Sequence, residues 1–300
     1  MRIPAFYSDA YAPGEEPLLA RLRATRDLLQ RLALVDLQPA TPVRPAQLDG
    51  LHDPTYLQAF LDGREPLASR QGIRWTPRVR DATLSMLGGQ LAAVDRCLAH
   101  PAGIAMNIAR GFHHAHPLAG SGFCAINGLA LVAHAHPTLK VLVVDCDEHG
   151  GNGTEEFAAR MPNLFAVSIF GTRFGCRGGT RSWAFHVSRE EGFARYARVL
   201  DGVGRIIDDV APDLLIYQAG ADCHVHDPKS QLRLRTGEMF RRDLAVFTMA
   251  RERRLPVLFL VAGGYQDATK VARLNCNTVR AARIAHRKRA TPAGPLAVSR

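Results

Sequence analysis

The sequence predicts an α/β protein in which an open parallel sheet carries helices on both faces. The first observation is a series of short apolar runs, rich in β-branched residues and bounded by Gly, Pro, Asp or Asn, as is typical of buried parallel strands. The second is that segments with helical periodicity lie between these runs. Strand and helix patterns that alternate along a chain indicate a sheet covered by helices on each side.

The predicted strands, in chain order, are IPAFY at 3–7, GIAMNI at 103–108, KVLVVD at 140–145, LFAVSIF at 164–170, DLLIYQ at 213–218 and PVLFLV at 256–261. Helical periodicity covers 16–34, 78–99, 126–136, 190–209, 236–253 and 268–285. The glycine-rich segment after the third strand permits a tight turn into a further helix that begins near Thr154. No low-complexity linker or repeat divides the chain, so we expect one domain over residues 1–300.

Composition is that of an ordinary globular protein, with 47% hydrophobic and 22% charged residues. No apolar run is long enough to span a membrane, and the amino terminus lacks the apolar segment of a signal peptide, so we expect a cytoplasmic protein without a membrane partner. The six cysteines form no CxxC pair, which favours buried reduced thiols. The net charge of +10 comes mainly from scattered arginines, which favours compositional bias over nucleic-acid binding. The one basic cluster, RIAHRKRA at 283–290, is expected to be a solvated helix end.

Four of the predicted strands are followed by residues that can perform chemistry. They are His113 and His114 after 103–108, Asp147 and His149 after 140–145, Asp222 after 213–218, and Tyr265 after 256–261. Ligands of open parallel sheets gather at the carboxyl ends of the strands. We therefore expect these side chains to meet at one edge of the sheet.

The Asp-x-Asp-x-His segment at 145–149 is the strongest of these signals. Alternate residues project to the same side at a strand end, so Asp147 and His149 can bind one cation while Asp145 supports them from behind. Zinc accepts carboxylate and imidazole ligands, and catalytic zinc sites leave a position open for water. The other motifs are weak alone, since a histidine pair is often solvated and AGAD or GGY turns are ordinary corners. Their combination predicts a metal-dependent catalytic site.

These residues make the sequence resemble the histone deacetylase superfamily, most closely its compact bacterial members related to class IV deacetylases. The motifs that carry the resemblance are FHHA, DxDxHGGNGT, QAGAD and GGY, and the similarity runs from about His52 to about Thr278. The resemblance implies the arginase/deacetylase fold, one Zn²⁺ per chain and a structural K⁺. It also implies hydrolysis of an acyl amide, with an acetyl-lysine peptide, an acetylpolyamine or another small acylated amine as substrate.

The resemblance also assigns roles to individual residues. The zinc ligands match Asp147, His149 and Asp222. The catalytic groups match His113, His114, Asp145, Asn152 and Tyr265. The walls of an acyl-lysine tunnel match Gly122, Phe123 and Phe174. The potassium site matches Asp145 and Ser168.

The two histidines would divide the acid–base work. A carboxylate partner favours imidazolium and an amide partner does not, so Asp145 and Asn152 would give His113 and His114 different basicities. His114 would take the proton of the attacking water and pass it to the leaving amine, while His113 would stay the more cationic neighbour. Tyr265 would donate its hydroxyl to the oxyanion.

Three positions depart from the family pattern. Arg110 stands where glycine usually precedes the histidine pair, Ala262 replaces the first of three glycines before the tyrosine, and Phe170 stands where a histidine is usual. In the family the first two positions lie near an internal cavity behind the metal. We expect Arg110 either to fill part of that cavity, which would change acetate exit or the acyl group accepted, or to point to solvent.

Two other functions stay open at this point. An arginase-like ureohydrolase shares the sheet, but it needs more carboxylates to hold two Mn²⁺ ions about 3.5–4 Å apart. A non-catalytic protein that binds acyl-lysine could use the same pocket without the full catalytic set. The complete set of metal, histidine and tyrosine residues favours the hydrolase.

Overall fold

The computed structural model describes residues 1–14, 16–100 and 103–287, which contain one eight-stranded parallel sheet. In chain order the strands are β1 (Ile3–Tyr7), β2 (Val35–Pro39), β3 (Ile104–Asn107), β4 (Val141–Asp145), β5 (Leu164–Phe170), β6 (Ser182–His186), β7 (Leu214–Ala219) and β8 (Val257–Val261). Their order across the sheet is β2-β1-β3-β8-β7-β4-β5-β6. Every strand expected from the sequence is present, and the predicted parallel sheet is confirmed.

Eight α-helices surround the sheet in the described part of the chain. They are α1 (Pro17–Arg31), α2 (Pro54–Asp62), α3 (Pro77–Leu98), α4 (Gly128–Ala135), α5 (Asn152–Arg160), α6 (Gly192–Val210), α7 (Thr236–Glu252) and α8 (Ala268–Arg287). Helices α1, α8, α7 and α6 contact one another in series, and α3, α4 and α5 form a second series. The sheet is therefore covered on both faces. None of these helices is long and apolar enough to cross a membrane.

The centre of the sheet sets the position of the chemistry. Strands β3, β8, β7 and β4 are buried along their whole length. The register pairs Asp145 with Gln218, Gln218 with Leu260, and Leu260 with Asn107. These four strands thus end at nearly the same level, so the loops that follow them begin side by side.

The two edge strands, β2 and β6, are not among the strands predicted from the sequence. Only the first residue of β2 (VDLQP) is buried, and β6 (SWAFH) mixes polar and aromatic residues. An edge strand has one neighbour and one open side, so it lacks the continuous apolar run of a central strand. Helix α2 is missed as well, although Asp53 caps its start and Gly63, with φ +79°, ends it. The basic cluster at 283–290 begins within α8, and its residues 288–290 lie outside the described residues.

Candidate active site

The loops after β4 and β7 bring the three expected metal ligands together. Asp147, His149 and Asp222 each offer one ligand atom, and these atoms all lie within 4.8 Å of one another. His149 Nδ1 faces both carboxylates, 3.2 Å from Asp147 Oδ1 and 3.3 Å from Asp222 Oδ2. Both aspartates are buried. Across residues 1–14, 16–100 and 103–287, no second group of this kind is found.

The donor set fits a divalent cation. Asp222 Oδ2 is buried and accepts no hydrogen bond of good geometry, so it is left for another positive partner. Burial alone would lower the pKa of His149, but its close contacts with the carboxylates of Asp147 and Asp222 and the charges of these groups outweigh burial and raise this pKa to about 10. A proton on His149 thus sits where two carboxylates favour a cation, and a metal ion would release it. Two carboxylates and one imidazole are donors that zinc accepts.

Two glycines leave room for the carboxylates. The N–H of Gly263 donates to Asp147 Oδ2 at 2.6 Å. A Cβ at Gly263 would lie 1.9 Å from Asp222 Oδ2, and a Cβ at Gly220 would lie 2.5 Å from Asp147 Cα. Both distances are far inside van der Waals contact. No side chain can therefore occupy either position while the ligands keep this arrangement.

A buried arginine ties the two ligand-bearing loops together. Arg242 of α7 is fully buried, and its Nη1 donates to the carbonyls of Cys146 and Gly220 at 3.0 and 2.9 Å. Its charge is paired with Asp243, 2.8 Å away. The sequence does not reveal this role, because Arg242 is one of many arginines on helical segments.

His113 and His114 lie beside the metal ligands and have different partners. His113 Nδ1 is 2.6 Å from Asp145 Oδ2, and His114 Nδ1 is 2.8 Å from Asn152 Oδ1. Burial alone would lower the pKa of His113, but the charge of Asp145 contributes to a net rise. Burial and the charge of His113 hold the pKa of His114 well below its usual range. The pair thus combines a more cationic imidazole with a neutral one.

A hydrogen-bond chain continues from His114 to the surface. Asn152 Nδ2 is 3.1 Å from His116 Nε2, and His116 Nδ1 is 2.9 Å from Glu156 Oε1. An ionised carboxylate only accepts, so His116 Nδ1 carries a proton and Nε2 can accept from the amide. This arrangement fixes the amide of Asn152 with its oxygen toward His114. Neither His116 nor Glu156 was predicted from the sequence as part of the site, although His116 stands in the HHAH segment.

Tyr265 follows β8 and faces the metal ligands. Its ring centroid lies 6.3 Å from that of His149, with the planes at 85°. Burial and the charge of Asp222 raise the pKa of Tyr265, so its hydroxyl keeps a proton that it can donate. Its backbone N–H donates to Asp227 Oδ2 at 2.7 Å, which fixes the start of the turn.

Arg110 lies behind the metal ligands and does not point to solvent. It is 7% exposed, and it lines a cavity of about 10 Å³ together with His113, Ala262 and Tyr265. The space that is left is about that of one water molecule.

A second arginine, Arg21 of α1, donates from Nη2 to the carbonyl of Ala262 at 2.9 Å. Burial and the charge of Arg110 lower the pKa of Arg21 to about 10. Arg21 was not predicted from the sequence as part of the site, because it lies in an ordinary helical pattern.

The three residues expected to form the tunnel surround His114 and Tyr265. A Cβ on Gly122 would lie 2.5 Å from His114 Cδ2. The Phe174 ring centroid is 4.0 Å from that of His114, and the Phe123 centroid is 6.4 Å from that of Tyr265. Phe123 and Phe174 have φ of +63° and +47°, which is rare for residues other than glycine. Such conformations concentrate at functional sites.

The two residues assigned to potassium, Asp145 and Ser168, are register partners on β4 and β5. Asp145 Oδ1 accepts from the N–H of Asp147, and Asp145 Oδ2 faces His113. Ser168 Oγ accepts from the N–H of Gly151 at 3.1 Å. Each of these oxygens already has a hydrogen-bond partner, so the potassium ion stays a prediction.

A parallel sheet of this order with an Asp-His-Asp group at its strand exits has the architecture of the arginase/deacetylase fold. Comparison with known proteins narrows this class. The histone deacetylase domain matches residues 16–282, and the chain belongs to the histone deacetylase family. Members of this family are hydrolases that act on amide bonds, and the chain is a hydrolase of that kind.

Individual relatives agree with this assignment. An uncharacterized protein of Picosynechococcus is 32% identical over 76% of this chain and 78% of the relative. The histone deacetylase-like amidohydrolase of Pseudomonas aeruginosa is 27% identical over 83% of this chain and 71% of the relative. The matches to two plant histone deacetylases cover only 49% and 56% of those proteins. The crystal structure of an acetylpolyamine aminohydrolase from Burkholderia pseudomallei superposes with a TM-score of 0.75 at 20% identity, covering 93% of this chain and 98% of that one, which shows a shared fold.

Proposed function

We propose that the chain is a zinc-dependent deacetylase that hydrolyses the acyl amide of an acetylated lysine or of a small acetylated amine. The observation that carries the proposal is the site itself, in which the Asp-His-Asp group lies beside a histidine pair with unlike partners and a tyrosine that keeps its proton. Zinc, when bound by Asp147, His149 and Asp222, lowers the pKa of water and polarises a carbonyl.

The chain's own residues supply the proton transfers. His114 is neutral, with its Nδ1 proton directed to Asn152, so its Nε2 is free to accept a proton from the attacking water. The same nitrogen then returns that proton to the leaving amine. His113, held more cationic by Asp145, offsets the negative charge that develops next to it.

Tyr265 stabilises the carbonyl oxygen as it gains charge. Its hydroxyl is the donor, since burial and a neighbouring carboxylate keep the phenol protonated. Deleting a donor of this kind in other enzymes costs about 2.7–4 kcal/mol of transition-state stabilisation. Phe123 and Phe174 would line the approach of the acylated chain to this point, and a potassium ion near Asp145 and Ser168 would be structural, with no part in the reaction.

The two alternatives make different predictions. A binuclear ureohydrolase would need a second set of carboxylate or imidazole ligands, and the described residues offer one such group. A pure acyl-lysine binder would not require a neutral general base next to the metal ligands. The single group and the unlike histidines favour the deacetylase.

The test is a substrate screen with zinc-loaded protein on acetyl-lysine peptides, acetylpolyamines and longer acyl-lysines. We expect release of acetate from at least one class, and inhibition by a hydroxamate. Bound zinc without turnover of any acylated amine would instead favour the non-catalytic binder. Two Mn²⁺ per chain with ureohydrolase activity would favour the arginase-like function.

A further inference from the structure

A lysine side chain stands at the approach to the site. The Nζ atom of Lys229 lies 4.9 Å from the ring centroid of Tyr265 and 5.7 Å from that of Phe123. Lys229 is exposed, whereas Tyr265 reaches inward to the metal ligands. The ammonium group therefore lies beside two of the rings that are expected to surround the acylated chain.

The position of Lys229 relative to Tyr265 is fixed by one carboxylate. Asp227 is fully buried, and it accepts the backbone N–H of Lys229 through Oδ1 at 3.0 Å and that of Tyr265 through Oδ2 at 2.7 Å. The turn that carries the cation and the turn that carries the tyrosine are therefore joined. Both aromatic contacts are within the range of a cation–π interaction, which favours the observed placement of the ammonium group.

The charge of Lys229 is not neutralised by an acidic side chain. Within the described part of the chain, no carboxylate lies within ion-pair distance of Lys229, and Asp227 is directed at backbone donors. The segment 171–181, which carries Phe174, contains three arginines and no acidic residue. The nearby carboxylate of Glu155 accepts backbone N–H groups from Arg177 and Gly178. A substrate that approaches past Phe123 and Tyr265 would therefore meet the ammonium group of Lys229 without an acidic counterpart.

A charge at the end of the substrate remote from the amide would interact with the ammonium group of Lys229. In acetylputrescine an ammonium lies four methylenes from the amide nitrogen, which is also the spacing of the α-carbon in acyl-lysine. The first substrate would bring like charges together at Lys229. The α-carboxylate of a carboxyl-terminal acyl-lysine, whose α-nitrogen is an uncharged amide, would bring opposite charges together. Like charges in close proximity disfavour binding, and opposite charges favour it.

We propose that Lys229 selects acylated amines whose far end is anionic or neutral, such as a carboxyl-terminal acyl-lysine, and disfavours acetylpolyamines. This inference rests on the proposed deacetylase function and names its substrate class. It sets the chain apart from the acetylpolyamine aminohydrolase whose fold it shares.

The experiment uses a matched series of acetamides with the same four-methylene spacer, ending in a carboxylate, a methyl or an ammonium group. With zinc-loaded protein we expect kcat/KM to fall in that order, by about tenfold per step, which lies between the effects of a fully solvated and a partly buried charge pair. Most of the change should appear in KM, and 0.5 M NaCl should narrow it.

Variants distinguish the effect of the Lys229 side chain on substrate preference from the effect of the protein's net charge. Lys229→Met should abolish the order, Lys229→Glu should reverse it, and Lys229→Arg should keep it. Lys140→Met removes the same charge at the opposite end of β4, so it should leave the order unchanged. The same order in the wild type and Lys229→Met, or a preference of the wild type for the ammonium compound, would overturn the inference. If the protein hydrolyses neither the compounds of the series nor any acetyl-lysine peptide, the deacetylase function on which the inference rests is overturned instead.

Discussion

The rings of His113 and His114 lie with their centroids 3.9 Å apart and their planes at 37°, yet their Nδ1 atoms face different acceptors. The first faces the carboxylate of Asp145 and the second the amide of Asn152. Two adjacent residues of one type are thereby driven to different protonation states. The same contact also makes each histidine sensitive to the other, since the charge of His113 contributes to the low pKa of His114.

Replacing Asn152 by aspartate tests this division. A carboxylate next to His114 should raise the pKa of its imidazole, by about 1 to 3 units. The base acts only when neutral, so the acidic limb of the kcat/KM profile should move to higher pH by the same amount. Glu156→Gln, which removes a charge further along the same chain of hydrogen bonds, is the matched control and should move the limb little. An unmoved limb in Asn152→Asp would show that another group controls it.

Removing the hydroxyl of Tyr265 should reduce turnover without loss of metal. Tyr265→Phe keeps the ring against His149 and deletes the donor, so kcat should fall by about 10²- to 10³-fold. Zinc content, measured by elemental analysis, should stay that of the wild type, because the tyrosine is not among the ligands. A variant with full activity would mean that a different group stabilises the oxyanion.

Zinc should stabilise the fold and displace a proton. At a free concentration of 100 times its dissociation constant, an ion that binds only the folded state adds about 2.7 kcal/mol to the free energy of unfolding. Because the pKa of His149 is raised to about 10 without the ion, calorimetry at pH 8 in buffers of different ionisation enthalpy should detect about one proton released per zinc. Asp222→Asn should weaken both effects. Binding without proton release would mean that His149 is not a ligand.

The buried imidazole of His52 should make stability depend on pH. It is 4% exposed, and its burial lowers the pKa to about 4, while the unfolded chain has a value near 6.5. The unfolded state therefore binds more protons between these two values, so stability is complete above pH 6.5 and is lost as the pH falls toward 4. The loss from this one residue should reach about 2 kcal/mol at pH 5.

His52→Gln is the variant that isolates this effect. Glutamine can still donate to the carbonyl of His116 and accept from the N–H of Asn127, as the imidazole does at 2.8 and 3.1 Å. Denaturant unfolding at pH 7 and pH 5 should then show a smaller drop in the variant than in the wild type. Equal drops would assign the acid sensitivity to other groups.

Shortening Arg110 should widen the range of acyl groups accepted. Its side chain helps to reduce the cavity behind the metal ligands to about 10 Å³. Arg110→Ala should raise the ratio of butyryl to acetyl turnover, by about tenfold for each added methylene that the new space holds. Competition between acetyl- and butyryl-lysine substrates measures this ratio directly. An unchanged ratio and unchanged turnover would show that the cavity does not limit the acyl chain.

The central strands and the residues at their ends could be predicted because one physical cause links them. Strands that are buried on both faces have continuous apolar sequences, and the loops that follow them carry the reactive side chains. Asp147 and His149 are close in sequence as well as in space. The neutral state of His114 also followed from the chemistry of its assigned partner, since an amide does not favour imidazolium.

The parts that could not be predicted depend on contacts between distant segments. Arg242 lies 96 residues from Cys146, the carbonyl that it holds, and Arg21 lies 241 residues from Ala262. Nothing in the local sequence marks either arginine among the 38 basic residues. Nothing in the local sequence marks Lys229 either, because its position beside Tyr265 depends on the hydrogen bonds by which Asp227 joins two turns.

The absence of a side chain at Gly263 has a consequence for reading related genomes. Because a Cβ there would collide with Asp222, a homologue with alanine or a larger residue at this position cannot keep the same arrangement of the metal ligands. Such a protein could retain every ligand and both histidines and still have lost its ion. A residue other than glycine at this position therefore predicts impaired metal binding in a relative, even where its ligand residues are intact.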